Sequence, residues 1–343
     1  MKVSFISSQA SSQAMRYQMQ RMQVDLIKAN KEVVSLRVAD VGIALGARTG
    51  MSVSLHREVE RLSGLMDSNQ LAASRLEATQ LSLQDLTKGA EQLLSDFATA
   101  SSGASDPKIA RQQAEAVLSM MTSVLNSNLN GEHLFAGINT DVTPIADFAD
   151  PSSANRVALE TAFSTYPFVD PADITDVEMT AFLASVENQF LGADWNTLWS
   201  TATDQQITSR ITLTETAQTS VSANIPGVRK LAMAAAVVAV AFDESLSKEA
   251  RDVTIERAIE LLGEAIVDLA NQQGYTGITE QRIERANERM SMQIDLFGKT
   301  LNDLEGIDPY EASTRVSGLL AQIEISYSLT ARMQQMSLLK FLS

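Results

Sequence analysis

The chain has 343 residues, of which 45% are hydrophobic, 20% charged and only 5% aromatic, and this balance favours long helices over a β-sandwich or barrel. Its formal net charge of −15 argues against nucleic acid and against an anionic membrane as partners, because both attract basic surfaces. The absence of cysteine excludes disulfides and thiolate chemistry, and the wide sequence separation of the two histidines, His56 and His133, argues against a transition-metal site. We expect no cofactor.

The start of the chain, MKVSFISSQA, has too short an apolar run to be a cleaved secretory signal. The longest apolar run, LAMAAAVVAVAF at 231–242, is also too short to cross a bilayer, which takes about 20 residues. We therefore expect neither a cleaved signal nor a membrane span, and we interpret 231–242 as a buried helix.

The first predicted element is a long amphipathic helix near the N-terminus. Its apolar residues alternate in spacings of four and three, which is typical of a coiled-coil seam. They are Met15, Met19, Met22, Leu26, Ala29, Val33 and Leu36. The alternative is one amphipathic helix lying on a globular core. Residues 37–52, with three glycines, then predict a joint.

A second and longer seam runs from Leu55 to Phe97 with a period of seven residues. The polar residues Asn69 and Gln80 stand in this seam where apolar residues are expected. A helix of about 40 residues is far longer than is typical of globular proteins, so the pattern indicates a helical rod or bundle.

A turn and a hairpin frame the helix that comes next. Asp106 and Pro107, at the end of SSGASDP, are the residue types that cap and begin a helix. That helix stops in NSNLNGEHLFAGINTD at 126–141, where Asn and Gly residues and a short apolar run predict a strand or hairpin.

The middle of the chain, 138–225, has a different composition, with 12 acidic and 2 basic residues. The alternating stretch ITSRITLT at 207–214 favours β-structure, and 176–191 is typical of one helix. We therefore expect a small, acidic, solvent-facing α+β domain, separately folded between two helical halves.

Helical patterns resume after the middle segment. We predict helices at about 227–243, at 247–271 with its end at Gly274, and at 279–304. In the last of these, one step departs from a strict heptad, which should locally alter any supercoil.

A strong start signal precedes the final helix, which we place at about 309–341. Asp308 can cap it and Pro309 suits its first position, while Glu311 can reach back to complete a capping box. The helix ends in MSLLKFLS, an unusually apolar terminus.

The two terminal helices can bury their seams against each other, but a lone helix pair has little core. Apolar surface left over on the pair would then be an interface with other subunits. The predicted assembly residues are Met15, Met19, Met22, Leu26, Val33, Leu36, Leu320, Ile323, Tyr327, Met333, Met336, Leu339, Phe341 and Leu342.

This pattern divides the chain into three predicted domains. Residues 1–45 with 306–343 would form a terminal coiled-coil domain, and 46–137 with 226–305 a helical rod. Residues 138–225 would be the variable domain. The fold class is thus mainly α, with long helices from both chain ends and a small inserted α+β domain.

Three stretches resemble the flagellin superfamily: NLNGEHLFAGINTD (128–141), residues 283–342 and the N-terminal seam. The resemblance covers both ends of the chain and leaves out the acidic middle. Within the superfamily, NLNGEHLFAG and the Met-rich first helix are most similar to the L-type hook–filament junction proteins. The chain departs from the family at 35–50, where a lone Asp40 stands in place of a segment rich in Ser, Gly and paired Asp.

The resemblance implies paired terminal helices in the axial core of the flagellum, a rod outside them and a variable domain facing solvent. It also implies self-association in a ring and contacts with other axial proteins, namely the first hook–filament junction protein and flagellin. Export would use the flagellar type III channel and an export chaperone, and would place the protein outside the cell without a cleaved signal.

Other functions stay open at this point. Flagellin itself shares most of the pattern, and a type III translocator or a signalling coiled coil shares the helix content. An enzyme would need acids such as Asp173 and Asp176 for acid–base chemistry, whereas a solvated acidic loop explains them more simply. The sequence contains no phosphate-binding loop or nucleophile elbow. We therefore expect a structural protein and not an enzyme.

Overall fold

A computed structural model describes the backbone of residues 8–103, 106–168 and 170–342, and the side chains of 10, 13–103, 106–168 and 170–332. Over these residues the protein is mainly helical, as its composition predicted. The helices and strands are α1 (Ser8–Ser35), α2 (Val41–Leu45), α3 (Thr49–Ser101), α4 (Pro107–Leu125), β1 (Asn128–Leu129), β2 (Glu132–His133), α5 (Ala154–Thr165), α6 (Asp176–Leu191), α7 (Trp195–Leu198), β3 (Thr208–Arg210), β4 (Thr216–Gln218), α8 (Pro226–Ala241), α9 (Lys248–Glu305) and α10 (Pro309–Leu342).

The chain divides into two compact units. One comprises 1–64 with 290–343, and the other comprises 65–289. The long helices α3 and α9 contribute residues to both units. The predicted division into three domains does not follow these boundaries, and it remains a prediction.

The second unit has its main core around α8. This helix packs against α4, α5 and α6, and its residues from Leu231 to Ala239 are at most 4% exposed. Small Ala side chains let the surrounding helices approach closely. The apolar run at 231–242 is thus a buried helix, as the sequence predicted.

The acidic middle segment shares this core. Trp199 stacks on Phe148 with ring centroids 5.4 Å apart and on Trp195 at 5.5 Å, and these rings belong to the same hydrophobic cluster as α8. The segment contains the predicted helix α6, and the β-structure predicted at 207–214 is present as strand β3, which forms a hairpin with β4. Among the described residues of the segment, the buried aromatic side chains therefore pack in the cluster around α8 and not in a cluster of their own.

Both hairpins pack near the long helices. Strand β1 pairs antiparallel with β2, which confirms the hairpin predicted at 126–141, and β3 pairs antiparallel with β4. Beyond β3, Ile211 is fully buried in a small cluster with Leu76 of α3 and Ile283 of α9. Asn69 lies beside this cluster and donates a hydrogen bond from Nδ2 to the Ile211 carbonyl at 2.9 Å.

The predicted helix end at Gly274 and the separate helix predicted at 279–304 are both wrong, because α9 runs unbroken from Lys248 to Glu305. Buried residues recur every seven positions through the glycine, at Leu269, Thr276, Ile283 and Met290. A glycine inside a helix costs only about 1 kcal/mol relative to alanine, and continuous packing of this face outweighs that cost.

The capping signals at the starts of α4 and α10 were confirmed in part. The Asp106 carboxylate accepts a hydrogen bond from the Lys108 amide at 2.8 Å, and Asp308 accepts one from the Tyr310 amide at 2.8 Å, so both caps are confirmed. Glu311 instead accepts a hydrogen bond from Arg315 at 2.9 Å, one turn along the helix. The predicted capping box at the start of α10 is therefore wrong, because the charged i,i+4 partner takes the carboxylate.

Candidate assembly interface

The helices α1 and α10 pack along each other as a terminal pair, which confirms the pairing inferred from their seams. On α1, Met22 and Ala29 are buried on the packed side. On α10 the buried and half-buried positions alternate in spacings of four and three, as in a coiled coil. They are Ala312, Val316, Leu319, Ile323, Ser326 and Thr330.

Polar contacts fix how the two helices are aligned. Gln23 donates a hydrogen bond from Nε2 to the Tyr327 hydroxyl at 3.0 Å. Closer to the other end, Arg315 donates to the largely buried Glu32 carboxylate at 3.2 Å. A slip of one helix along the other would break both contacts, so they select one alignment of two otherwise similar apolar seams.

The predicted assembly residues fall into three groups. The first group lies on the packed side of the pair. Its members Met22 and Ile323 are buried, and four more on α1 are half-buried, namely Met15, Met19, Leu26 and Val33. Three others are exposed, namely Leu36, Leu320 and Tyr327. The side chains of Met333, Met336, Leu339, Phe341 and Leu342 lie outside the described residues, so the prediction for them stays as it was.

A second apolar row lies on the outer face of α1, and sequence reasoning missed it. It comprises Tyr17, Val24, Ile27 and Val34, which are 70%, 51%, 68% and 86% exposed. Their spacing of 7-3-7 places them on one face of the helix, roughly opposite Met22 and Ala29. The signal was present in the sequence, but the stronger seam with more members obscured it.

The final helix also exposes apolar side chains, at Tyr310, Leu320, Ile325, Tyr327 and Leu329. The terminal pair therefore shows apolar surface outside its internal seam on both helices. A soluble monomer rarely leaves so many large apolar side chains in water unless another molecule covers them. We call the outer row of α1, formed by Tyr17, Val24, Ile27 and Val34, the outer apolar face, and it is the candidate interface.

The joint between α1 and α3 is compact. Leu36, just after α1, has a left-handed backbone with φ of 56°, a conformation usually reserved for Gly at a helix end. The lone Asp40 then caps α2 by accepting a hydrogen bond from the Ile43 amide at 3.0 Å. Gly46 also has a positive φ, of 53°, and marks the turn from α2 into a short 3₁₀ segment before α3.

The acidic residues weighed for enzymatic chemistry are solvated. Asp173 lies in a single 3₁₀ turn and Asp176 begins α6, and both are exposed. Over the described residues, no helix combines the length and apolar character that crossing a bilayer requires.

Comparison with known proteins adds two family matches. Residues 6–140 match the bacterial flagellin N-terminal helical region, and residues 259–342 match the bacterial flagellin C-terminal helical region. In sequence, no curated protein gives a significant match. Among solved structures, a "putative flagellar hook-associated protein from Vibrio parahaemolyticus" is similar in fold, with a TM-score of 0.53. The two chains are 8% identical, and the similarity covers 75% of this chain and 97% of the other.

Proposed function

Because this chain belongs to the flagellin superfamily and is a structural protein of the flagellum, we propose that it forms the junction between hook and filament. In this role it is an L-type junction protein, of the kind called hook-associated protein 3. It acts by helix–helix assembly and performs no chemistry.

The outer apolar face is the observation that carries this proposal. Ile27 and Val34 are more than two-thirds exposed on a helix whose other face already packs within the chain. Burial of each such side chain against a neighbouring subunit contributes roughly 1.5–3 kcal/mol. A ring of subunits repeats the contact around its circumference, so modest contacts per subunit add up to a stable assembly.

The alternative is flagellin itself, the subunit of the filament. The stretch NLNGEHLFAG and the Met-rich first helix favour the junction protein. The similar solved structure also carries a hook-associated description, although at 8% identity it supports only the shared fold. The proposed partners are further copies of this chain, the first hook–filament junction protein and flagellin, with a chaperone during type III export.

A deletion strain tests the proposal in cells. Without the junction protein, hooks should form normally while filament subunits are shed into the medium. The complemented strain should hold this protein in sheared flagella only in trace amounts relative to the filament subunit. If the protein instead dominates sheared flagella, it is flagellin and the proposed junction role is wrong.

Two neighbouring substitutions test the outer apolar face. Ile27→Asp should abolish filament retention while leaving the unfolding of the isolated protein almost unchanged, because Ile27 is already 68% exposed in the free chain. Lys28→Asp, also on the exposed side of α1, is the matched control and should retain filaments. Equal retention in both variants would contradict an interface at this face.

Truncation after Gln335 tests the end of the predicted interface that lies outside the described side chains. It removes five apolar residues. The assembly therefore loses burial free energy on the order of 10 kcal/mol per subunit as an upper bound. We expect the truncated protein to be exported but not to hold at the hook. A large loss of monomer stability with filaments still attached would place the terminus in the subunit's own core.

A further inference from the structure

A buried carboxylate lies where the terminal pair meets the neighbouring ends of α3 and α9. Glu305 is the last residue of α9, and only 3% of its side chain is exposed. It accepts hydrogen bonds from the Ser52 hydroxyl, from His56 Nε2 at 3.0 Å and from Arg37 Nη1 at 3.2 Å. We call these four residues the joint cluster.

The cluster requires an ionised carboxylate. Burial alone would raise the pKa of Glu305, but the hydrogen bonds from Ser52 and His56, and the charges of His56 and Arg37, hold it below its ordinary value. Since an ionised carboxylate only accepts hydrogen bonds, Nε2 of His56 must carry a proton and act as the donor. Glu305 thus gathers three donors around one buried negative charge.

The backbone of the same residue ties the two linkers together. The chain passes between the terminal pair and α3 and α9 only through 36–48 and 306–308. The Val38 amide donates to the Glu305 carbonyl at 2.8 Å, and the Ile307 amide donates to the Leu36 carbonyl at 3.2 Å. Both linkers therefore bend at the same level, beside the joint cluster.

The donors come from separate parts of the joint. Arg37 lies in the first linker, Ser52 and His56 lie in the first turns of α3, and the acceptor ends α9. Backbone hydrogen bonds near the surface contribute little stability each, because water competes for them. A charge-assisted network around a buried carboxylate is stronger and also directional, so it restricts rotation at the bend.

We propose that Glu305 is a positioning residue that fixes the angle between the terminal pair and the adjoining ends of α3 and α9. Neutralising it frees the pair to swivel while the helices on either side of the joint stay folded. This inference concerns the free protein and does not depend on the role proposed above.

The absence of cysteine makes a direct test possible, because two introduced cysteines carry the only spin labels. One pair of labels, at Lys28→Cys on α1 and Arg57→Cys on α3, spans the joint. A second pair, at Lys28→Cys and Ala321→Cys, lies within the terminal pair. All three positions are exposed, so the labels should not disturb packing. Distance distributions are measured by pulsed electron resonance in the otherwise natural chain and in each variant.

The test variant is Glu305→Gln, and the matched control is Asp303→Asn, an exposed acid two residues earlier on the same helix. In Glu305→Gln the distribution across the joint should broaden about twofold, as expected for release of a hinge. The distribution within the terminal pair should not change, and Asp303→Asn should leave both as they were.

Two results would overturn the proposal. An unchanged distribution across the joint in Glu305→Gln would show that other contacts set the angle. Equal broadening of both pairs would show that Glu305 only supports general stability. If Glu305→Gln does not fold by circular dichroism, Ser52→Ala removes one donor and keeps the charge, and the distribution across the joint must then broaden measurably for the proposal to stand.

Discussion

Asn69 stands in the long seam of α3 where the period of seven requires an apolar residue, and it is 1% exposed. Its Nδ2 donates both to the Ile211 carbonyl at 2.9 Å and to Asn287 Oδ1 at 2.8 Å. The polar residue in the seam thus ties the β3–β4 hairpin and α9 to α3. A buried polar residue of this kind specifies one packing arrangement at some cost to stability.

We expect Asn69→Ala to lower the free energy of unfolding by about 1–3 kcal/mol, because it leaves buried groups without hydrogen-bond partners. Gln70→Ala, at the exposed neighbouring position, should change it by less than about 0.5 kcal/mol. Urea unfolding followed by circular dichroism compares the two variants. Equal changes in the two variants would show that the hydrogen bonds of Asn69 do not stabilise the fold.

Glu280 of α9 is a second polar residue at an unfavourable place. Burial and the nearby Glu77 carboxylate raise its pKa above the ordinary value of 4.5, and its Oε1 has no hydrogen-bond partner among the described residues. A raised carboxyl pKa means that the folded state holds the proton more tightly than the unfolded state. Stability is therefore lost as the pH rises through 4.5 and beyond.

Glu280→Gln should accordingly raise the melting temperature at neutral pH. The free energy of unfolding should rise by on the order of 0.5 kcal/mol, because the substitution removes the half-buried member of a pair of like charges. The gain should shrink as the pH falls below 4.5, where the natural carboxyl is protonated as well. Glu284→Gln, at an exposed position on the same helix, is the control. A gain that does not depend on pH would rule out this electrostatic origin.

Among the elements, α9 differs most from the sequence prediction, because it is one long helix and two shorter helices were predicted. A glycine followed by another three residues later is a reasonable helix end, yet Gly274 and Gly277 both lie within α9. The seam at Leu269, Thr276 and Ile283 passes both glycines without a change of face. Contacts with α3 and β3–β4 compensate for the weak local propensity.

Gly274→Ala should therefore stabilise the protein by about 0.5–1 kcal/mol, since a Cβ there meets nothing within 4 Å in a continuous helix. Gly227→Ala in α8 should destabilise it, because its Cβ would lie 2.9 Å from Leu269 Cγ and 3.0 Å from the Leu269 amide nitrogen. Thermal unfolding of both variants tests this contrast. Destabilisation by Gly274→Ala would support the helix end that the sequence predicted.

At the scale of the molecule, the acidic middle segment is part of the second unit's core. Phe148, Trp195 and Trp199 lie in one hydrophobic cluster with α8, and α5 and α6 cover that helix directly. Composition marks the segment as distinct, but its packing makes it continuous with the helices on either side. Its removal therefore has a different consequence from the loss of a separate domain.

Replacing 140–224 with a short linker should unfold the second unit or leave it molten. Each large apolar side chain uncovered costs roughly 1.5–3 kcal/mol, and several together exceed the 5–15 kcal/mol by which a typical protein is stable. Binding of an apolar dye and loss of a cooperative unfolding transition are the measurements. The control is the double variant Asp173→Asn with Asp176→Asn, which removes charge without uncovering the core. It should keep a cooperative unfolding transition. Cooperative unfolding of the deletion variant would show that the middle segment folds separately from the rest of the second unit.

Patterns in the sequence were enough to predict the helical class, the two amphipathic terminal helices, a strand or hairpin within 126–141 and the caps at Asp106 and Asp308. These features depend on periodicity and on contacts within a few residues, which a single chain records directly. The exposed apolar row on α1 could also have been predicted from the sequence, since the spacing of seven places Tyr17 and Val24 on one face. The tertiary structure alone decided that α9 continues through Gly274, that Trp195 and Trp199 join the core of α8, and that Glu305 meets Arg37 and His56. Each of these outcomes depends on groups that are distant in the sequence and close in the fold, where burial and paired charge outweigh local preference.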